Sequence, residues 1–261
     1  MKKWIILCLL FSGTVSRAQD LTARQIVERS QAAIRVKGVQ GVSVMRIIDD
    51  QGRERVREIR QATKLVDNGE TEKRLLRFMA PADVKGTGLL TYDYEKKDDD
   101  LWLYMPALRK TRRIVSSEKA KNFMGSEFTY ADMTPPALDD FTFHLLGEED
   151  AGGALCYKIE WIPNDEDIAE ENGFSRRITW LGKEDFVIRK AVYYDLDGEL
   201  LKELTVHEIK ELDPVHHKYR AMHLEMVNKQ NGRKSVMVNQ ELEFKPDISE
   251  DYFTLRYLER E

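Results

Sequence analysis

Paired turn residues at short intervals constrain the fold of this chain more than any other feature of its sequence. Asn-Gly and Asp-Gly pairs supply the positive φ angles that tight β-hairpins require. From Val39 onward, segments of alternating polar and apolar residues lie between such pairs, and period two is the repeat of a β-strand. The turn pairs are Gln51-Gly52, Asn68-Gly69, Asn172-Gly173, Asp197-Gly198 and Asn231-Gly232. The pattern predicts an antiparallel meander rather than β-α-β units.

Thirteen extended segments follow from this pattern, and their faces differ in polarity. Residues 53–60 carry charged side chains on both faces, which predicts a strand with much of both surfaces in water. Tyr157, Ile159 and Trp161 alternate with polar residues and predict an apolar inner face. The segments are 42–49, 53–66, 71–79, 87–94, 101–106, 111–115, 141–147, 154–162, 175–182, 186–195, 199–212, 218–229 and 233–245. A long curved sheet, wet outside and apolar inside, accommodates both kinds and encloses a cavity where ligands bind.

One helix is predicted before the strands. Thr22 is a favourable N-cap, and Gln25 three residues later completes the sequence of a capping box. Leu21 and Ile26 occupy the two positions of a hydrophobic staple, and Gly38 ends the segment. Apolar residues at 3.6-residue spacing give this helix one apolar face, which needs a sheet to cover.

The N-terminal segment has the organisation of a secretory signal peptide. Two lysines precede an apolar run at residues 4–11, and Ser16 and Ala18 fit the small-x-small rule for cleavage before Gln19. The run is too short to cross a bilayer, which takes about 20 residues. A lipoprotein signal through Cys8 is the alternative, but Cys8 lies inside the apolar run and leaves no room for one before it.

Removal of residues 1–18 leaves a single domain, residues 19–261. Three cations leave with the signal peptide, so the formal net charge falls from −5 to −8. A chain this acidic argues against nucleic acid as a partner. Cys156 is then the only cysteine, so no intramolecular disulfide can form and the fold depends on its own core. Pro135-Pro136 marks a loop within the domain rather than a boundary between domains.

The sequence contains no complete local motif for catalysis or for metal binding. His207-Glu208 begins like a zinc-binding HExxH, but Glu211 stands where the second histidine belongs. His216-His217 are adjacent, so on a strand they point to opposite faces. Cys156 on a predicted strand is typical of inert packing. We therefore predict no catalytic residue, no metal and no cofactor.

Residues 78–133 carry the motifs that distinguish this chain. They read P-A-D-V-K-G-T at 81–87, W-L-Y-M-P at 102–106, R-R-I at 112–114 and F-M-G-S-E-F-T-Y-A-D at 123–132. These motifs resemble those of the outer membrane lipoprotein-sorting protein family, in the LolA/LolB-like superfamily of periplasmic lipid carriers. The similarity extends more weakly from the N-terminal helix to residues 253–258.

The resemblance implies an α+β fold that is mainly antiparallel β. It implies a strongly curved half-barrel sheet with an N-terminal helix, and short helices and loops that cover an apolar cavity for acyl chains. It also implies the periplasm of a Gram-negative cell, a lipid or acylated protein as the bound partner, and an association with RND-type inner-membrane transporters. We expect a monomer.

Aromatic and flexible apolar residues of these motifs are the candidates for contact with such a ligand. Phe123-Met124-Gly125 places a flexible apolar pair beside a hinge-capable glycine, and methionine adapts to irregular apolar surfaces. Phe128 and Tyr130 alternate with Thr129, as on an edge strand. Ordinary core packing is the alternative for each of them. The candidates for the cavity or its lid are Trp102, Leu103, Tyr104, Met105, Phe123, Met124, Phe128, Tyr130 and Trp161.

A basic cluster stands out on this acidic chain. Arg109, Arg112 and Arg113 are the candidates for contact with anionic head groups or an acidic partner. The alternative is a solvated strand end whose charge is balanced by residues 98–100, which are three aspartates.

The leading hypothesis is a periplasmic carrier that moves a lipid or lipidated protein between the inner and outer membranes. An adaptor that docks on a transporter without moving cargo is the alternative, and an enzyme acting on lipid or cell-wall substrates is a third. Titratable groups clustered inside the cavity would favour the enzyme.

Overall fold

The structure is a computed structural model that describes residues 20–260. The predicted signal peptide and its cleavage before Gln19 lie outside these residues. Within the described chain, fourteen strands form one antiparallel sheet. They are β1 (Gly38–Ile48), β2 (Glu54–Val66), β3 (Thr71–Ala80), β4 (Gly88–Tyr94), β5 (Asp100–Met105), β6 (Lys110–Arg113), β7 (Phe141–Ala151), β8 (Ala154–Pro163), β9 (Arg176–Gly182), β10 (Ile188–Tyr194), β11 (Leu200–Asp213), β12 (Lys218–Asn228), β13 (Lys234–Asn239) and β14 (Glu243–Phe244).

The order of the strands makes an open, curved sheet, which confirms the predicted half-barrel. The order is β6-β5-β4-β3-β2-β1-β13-β12-β11-β10-β9-β8-β7, and β14 pairs with the start of β1. The edge strands β6 and β7 are consecutive in the chain but do not pair, so the sheet is not closed. Laid flat, thirteen strands would be about 60 Å wide at about 4.8 Å a strand. Because one cluster of buried side chains contains residues from both β5 and β8, the sheet must curve strongly.

Most of the predicted turns join antiparallel strands, as the sequence indicates. Gly52, Gly198 and Gly232 have φ angles of 79°, 85° and 73° between paired strands. Asn172-Gly173 is different, and its prediction as a hairpin turn is wrong. Gly173 ends a short helix, where its amide donates to the carbonyl of Ala169 at 2.8 Å. The same left-handed conformation serves a hairpin and a helix end, so the dipeptide alone does not distinguish them.

The last predicted strand, 233–245, is divided into β13 and β14. The amides of Gln240 and Glu241 both donate to the carbonyl of Val42, at 2.9 and 3.4 Å, which makes a bulge. Beyond the bulge the chain passes very close to the backbone of β1. A Cβ added at Gly41 would lie 2.0 Å from the carbonyl oxygen of Glu241, so only glycine fits there.

Four α-helices accompany the sheet: α1 (Ala23–Ile34), α2 (Ser116–Lys119), α3 (Glu166–Asn172) and α4 (Leu255–Leu258). The predicted capping box is confirmed, because Thr22 and Gln25 exchange side-chain hydrogen bonds with each other's backbone amides. Ile26 and Val27 are fully buried in the inner core, and α1 packs against β12 and β7. Within residues 20–260, no helix is long and apolar enough to cross a membrane.

The outer face of the sheet is covered at one end by the C-terminal segment. Ile248, Phe253 and Leu258 form a buried cluster with side chains of β2, β3, β4 and β5. Arg77 fixes the end of this segment, since its guanidinium donates to the carbonyls of Tyr257 and Leu258 at 2.7 and 3.0 Å. The C-terminal residues therefore belong to the core.

We expect Leu258→Ala to lower the free energy of unfolding by about 2–5 kcal/mol, because the change leaves a cavity under a fully buried side chain. Leu255→Ala in the same helix is the control, since Leu255 is exposed and its loss should cost less than about 0.5 kcal/mol. Urea denaturation of both variants measures the difference. Equal losses would mean that the C-terminal segment does not pack as described.

Candidate functional site

The segment between the two edge strands, residues 114–140, crosses the inner face of the sheet and is called the strap below. Phe123, Phe128, Tyr130 and Met133 of the strap are buried in the inner core. The ring of Phe123 lies 5.8 Å from that of Phe78 in β3 and 5.5 Å from that of Tyr130. The strap thus places its aromatic side chains where a half-barrel of this kind would otherwise be open.

The strap contains a tight loop at residues 122–129 rather than the edge strand that the alternation of Phe128 and Tyr130 predicts. That prediction is wrong because left-handed backbone at Met124 and Gly125, with φ of 52° and 78°, reverses the chain. The amide of Phe123 then donates to the carbonyl of Phe128 at 2.7 Å. The rings of Phe128 and Tyr130 therefore point into the core from this loop and its end, not from a strand.

The candidate ligand residues are divided between two faces of the sheet. Leu103 and Met105 of β5 face the inner core together with the strap residues Phe123, Met124, Phe128 and Tyr130. Trp161 joins them from β8, and its indole nitrogen donates to Thr179 at 2.9 Å. Trp102 and Tyr104 alternate with Leu103 and lie on the outer face, in the cluster that the C-terminal segment covers.

Seven of the nine candidates therefore share one interior, and Trp102 and Tyr104 do not. A role in ligand contact stays a prediction for the seven. The sequence predicts an apolar cavity here, but the strap and α1 pack their side chains against the inner face, and a packed core takes the place of that cavity. Access to this interior requires the strap or α1 to move.

Two arginines of the sheet bind the strap through its backbone. Arg57 in β2 is only 7% exposed and donates to the carbonyl of Met124. Arg74 in β3 donates to the carbonyl of Met133 at 2.8 Å. The pKa of Arg57 is lowered, chiefly by burial and secondarily by the neighbouring Arg55. Arg57 belongs to the strand predicted to be solvated on both faces, so for this residue the expectation is wrong.

Glu127 of the strap is 4% exposed and is surrounded by polar groups of the sheet. Its carboxylate accepts a hydrogen bond from the Asn228 amide at 3.0 Å and lies 3.2 Å from the guanidinium of Arg233. Its amide donates to the hydroxyl of Ser235 at 2.9 Å, and its carbonyl oxygen lies 3.4 Å from the ammonium of Lys202. A strap residue is thus bound by β11, β12 and β13 together.

A buried ion pair joins the strap to β11. The ammonium of Lys202, itself 6% exposed, lies 3.2 Å from the carboxylate of Asp132. The same carboxylate accepts hydrogen bonds from the amide and hydroxyl of Thr129, at 2.8 and 3.0 Å. Burial acts to raise the pKa of Asp132, but the charge of Lys202 and these hydrogen bonds outweigh it, and the pKa is lowered.

Sequence reasoning missed these polar contacts, although one signal for them exists. Lys202 alternates with Leu204 and Val206 on one face of β11, so a cation stands in an apolar stripe. Glu127 and Asp132 belong to a motif quoted above but have no local feature that reveals their partners. Those partners are 70 or more residues away in sequence and become neighbours only through the curvature of the sheet.

The basic cluster at the other edge of the sheet is largely neutralised. Arg112 pairs with Glu118 at 2.7 Å, and Arg113 pairs with Asp100. Arg109 is exposed, with a left-handed backbone between β5 and β6, and has no ion pair within residues 20–260. Of the three predicted contact residues, Arg109 alone keeps a free guanidinium in the described chain.

A polar cavity of about 760 Å³ runs along one side of α1, from Arg24 to Arg35. It is bordered by α1, the turn between β4 and β5, the end of the strap, α2 and α3. Burial raises the pKa of Asp93 to about 7, and Asp99 adds to this rise, although Arg35 pairs with Asp93 at 3.2 Å. Burial likewise raises the pKa of Asp99 and of Asp140.

Apart from these carboxyls, residues 20–260 contain neither a metal-binding cluster nor a reactive thiol. Within the described residues, no three histidine, cysteine or acidic side chains are placed to hold a metal ion. Cys156 is buried on the outer face with Ile178, Trp180 and Val192, and burial raises the pKa of its thiol. A thiol held protonated in this way is a poor nucleophile.

Comparison with known proteins gives the family. A crystal structure described as an outer membrane lipoprotein-sorting protein domain, from Vibrio parahaemolyticus, is 30% identical to this chain with a TM-score of 0.82. The match covers 91% of this chain and 98% of that one. The chain belongs to the outer membrane lipoprotein-sorting protein family. A family model described only as an uncharacterized protein matches residues 70–260 of this family member.

Two further structures resemble this lipoprotein-sorting family protein. A DUF1329 family protein from Desulfovibrio piger is 27% identical, with a TM-score of 0.82 over 90% of this chain and 97% of that one. A LolA superfamily protein from Nitrosomonas europaea is 20% identical, with a TM-score of 0.67 over 91% and 100% of the two chains. The latter similarity shows that the fold is LolA-like. Comparison with curated proteins finds no match.

The raised pKa of Asp93 predicts how stability depends on pH in this lipoprotein-sorting family member. The folded state keeps a proton up to about pH 7, whereas the unfolded chain releases it near pH 4. The stability that the protonated Asp93 carboxyl contributes is therefore fully present below about pH 4 and is lost as the pH rises through about 7. We expect the stability of Asp93→Asn relative to wild type to rise between pH 4 and 8, measured by urea denaturation. A constant difference would contradict the burial of this carboxyl.

Proposed function

We propose that this protein is a carrier that holds the acyl chains of a lipid or lipidated protein inside its half-barrel. The observation that supports this most directly is the strap, a single connection whose apolar side chains fill an interior between two unpaired sheet edges. No disulfide ties the described part of the strap to the sheet. Its apolar and polar contacts with the sheet are all reversible, so an acyl chain can take the place of its aromatic side chains.

Apolar burial supplies the affinity of such an exchange. Each methylene group transferred from water contributes about 0.8 kcal/mol, so a long acyl chain gains several kcal/mol. The strap must give up comparable burial of Phe123, Phe128 and Tyr130 when it leaves. Because the two terms are of similar size, binding and release can both occur without an energy source.

The family and the N-terminal sequence together support a periplasmic location for this function. We propose that residues 1–18 direct the chain across the inner membrane, that cleavage occurs before Gln19, and that the carrier works in the periplasm of a Gram-negative cell. Transfer between inner and outer membranes needs no covalent step, so no enzyme activity is proposed. The proposed source of cargo is an RND-type inner-membrane transporter.

Native mass spectrometry of the purified chain tests the central proposal. We expect co-purifying lipid, and saturable uptake of a fluorescent fatty acid by delipidated protein. Pure apoprotein that takes up no acyl probe at any concentration would reject the carrier function. An adaptor without cargo would give that result while still binding a transporter.

Release of the strap is expected to govern the rate of uptake. Arg57→Met removes the charged donor to the Met124 carbonyl, so we expect acyl-probe uptake to become about tenfold faster, since such a bond contributes about 1.5–3 kcal/mol. Arg55→Met is the matched control, because Arg55 is exposed on the same strand. Stopped-flow fluorescence measures both, and equal rates would exclude strap motion as the limiting step.

Arg109 is the proposed contact for the transporter, because its guanidinium is exposed and free of ion pairs in the described chain. We expect Arg109→Glu to weaken binding to an inner-membrane RND transporter while fatty-acid uptake stays unchanged. Lys245→Glu is the control, because Lys245 is exposed after β14 and, like Arg109, forms no ion pair among the described residues. Surface plasmon resonance with the purified transporter measures the effect, and unchanged binding would remove Arg109 from the interface.

A further inference from the structure

Charges are divided unequally between the strap and the sheet where the two meet. The strap contributes the carboxylates of Glu127 and Asp132 and the backbone carbonyls of Met124 and Gly125. The sheet and its turns contribute cations that contact these groups. They are Arg57, Lys202 and Arg233. In both of the ion pairs, Asp132 with Lys202 and Glu127 with Arg233, the carboxylate lies on the strap.

Displacement of the strap would leave Lys202 and Arg233 without counter-charges. Within residues 20–260, Lys202 forms no ion pair except that with Asp132, and Arg233 forms none except that with Glu127. Asn228 and Ser235 would lose their hydrogen bonds to Glu127 at the same time. Uncompensated cations in a partly buried site are unfavourable, so a ligand that displaces the strap must replace its negative charge.

We infer that the ligand is an acyl chain with an anionic head group, a carboxylate or a phosphate, which takes the place of the Glu127 and Asp132 carboxylates beside Lys202 and Arg233. This inference rests on the proposed carrier function and names the class of its cargo. In the empty protein, the strap carboxylates occupy the head-group site.

The surroundings of Lys202 suit an amphiphilic ligand. Lys202 lies on the same face of β11 as Leu204, and Asn228 on the same face of β12 as Met226, so polar groups adjoin the apolar interior along both strands. The ammonium of Lys202 also lies 4.9 Å from the ring centre of Tyr193, over its face. A ligand whose acyl chain occupies the apolar positions of the strap can therefore place its head group among these polar groups.

The donors at this site match an oxyanion in number and kind. Lys202 offers an ammonium, Arg233 a guanidinium, Asn228 an amide and Ser235 a hydroxyl. Asn228 and Arg233 contact the carboxylate of Glu127 at 3.0 and 3.2 Å. Lys202 lies 3.4 Å from its backbone carbonyl oxygen, and the hydroxyl of Ser235 accepts from its backbone amide at 2.9 Å, so both become available to a ligand when the strap leaves. A carboxylate or phosphate accepts several charge-assisted hydrogen bonds at once, whereas an alcohol or ester head group replaces neither strap charge.

The test compares two fluorescent probes of equal chain length, a polyene fatty acid and the corresponding polyene alcohol, at a pH where the acid is ionised. We expect wild type to bind the acid at least about tenfold more tightly. Lys202→Met should reduce this preference to about threefold or less, and Lys210→Met, an exposed position on the same strand, should leave it unchanged.

Changes on the strap should act in the opposite direction. Glu127→Gln removes a carboxylate that holds the strap in place, so we expect both probes to bind more tightly than to wild type, because each of them displaces the strap. The double variant Lys202→Met/Asp132→Leu removes both charges of the buried pair and keeps the test valid if Lys202→Met alone fails to fold. We expect it to lose the preference for the acid while still binding the alcohol. Sodium acetate should not displace the acid, since the anion alone lacks the chain.

The results distinguish failure of the proposed carrier function from failure of the proposed anionic head group. Binding of neither probe rejects the carrier function itself. Equal binding of acid and alcohol by wild type and by the double variant leaves a carrier but overturns the anionic head group. Displacement of the acid by acetate would overturn the acyl ligand in favour of a small-anion site.

Discussion

The inner face of an open sheet has to be covered by apolar groups, and most of this structure follows from how that is done. Thirteen strands lie side by side in this sheet and leave two edges, β6 and β7, that do not pair with each other. The connection between these edges is the strap, which crosses the inner face of the sheet. Its side chains Phe123, Phe128 and Tyr130 cover the core there.

Polar contacts decide where the cover lies. Apolar packing is nearly non-directional and alone would tolerate several positions of the strap. The hydrogen bonds of Glu127 and the ion pair of Asp132 with Lys202 select one position, because an unpaired charge in a partly buried site is costly. Such contacts add little net stability compared with apolar packing, but they are specific, and a ligand with suitable chemistry can replace them.

The sequence allowed much of the fold to be predicted, and less of the site. Strand bounds and the capping box of Thr22 follow from local periodicity and turn chemistry, which residues close in sequence determine. The face on which Trp102 and Tyr104 lie depends on the C-terminal segment, about 150 residues further along. The loop at Met124 and Gly125, and the partners of Glu127, likewise arise from contacts between distant strands. Period two identifies which residues share a face but not which face is the inner one.

The attachment of the strap to both edge strands has a consequence for the proposed carrier once its cargo has left. Because neither end can depart, the strap is always present near the interior at a high effective concentration, as a ligand joined by a short linker would be. An emptied half-barrel is therefore re-covered in an intramolecular step, with no need to meet another molecule. A carrier of the proposed kind would therefore expose little of the apolar surface that causes aggregation, even without cargo.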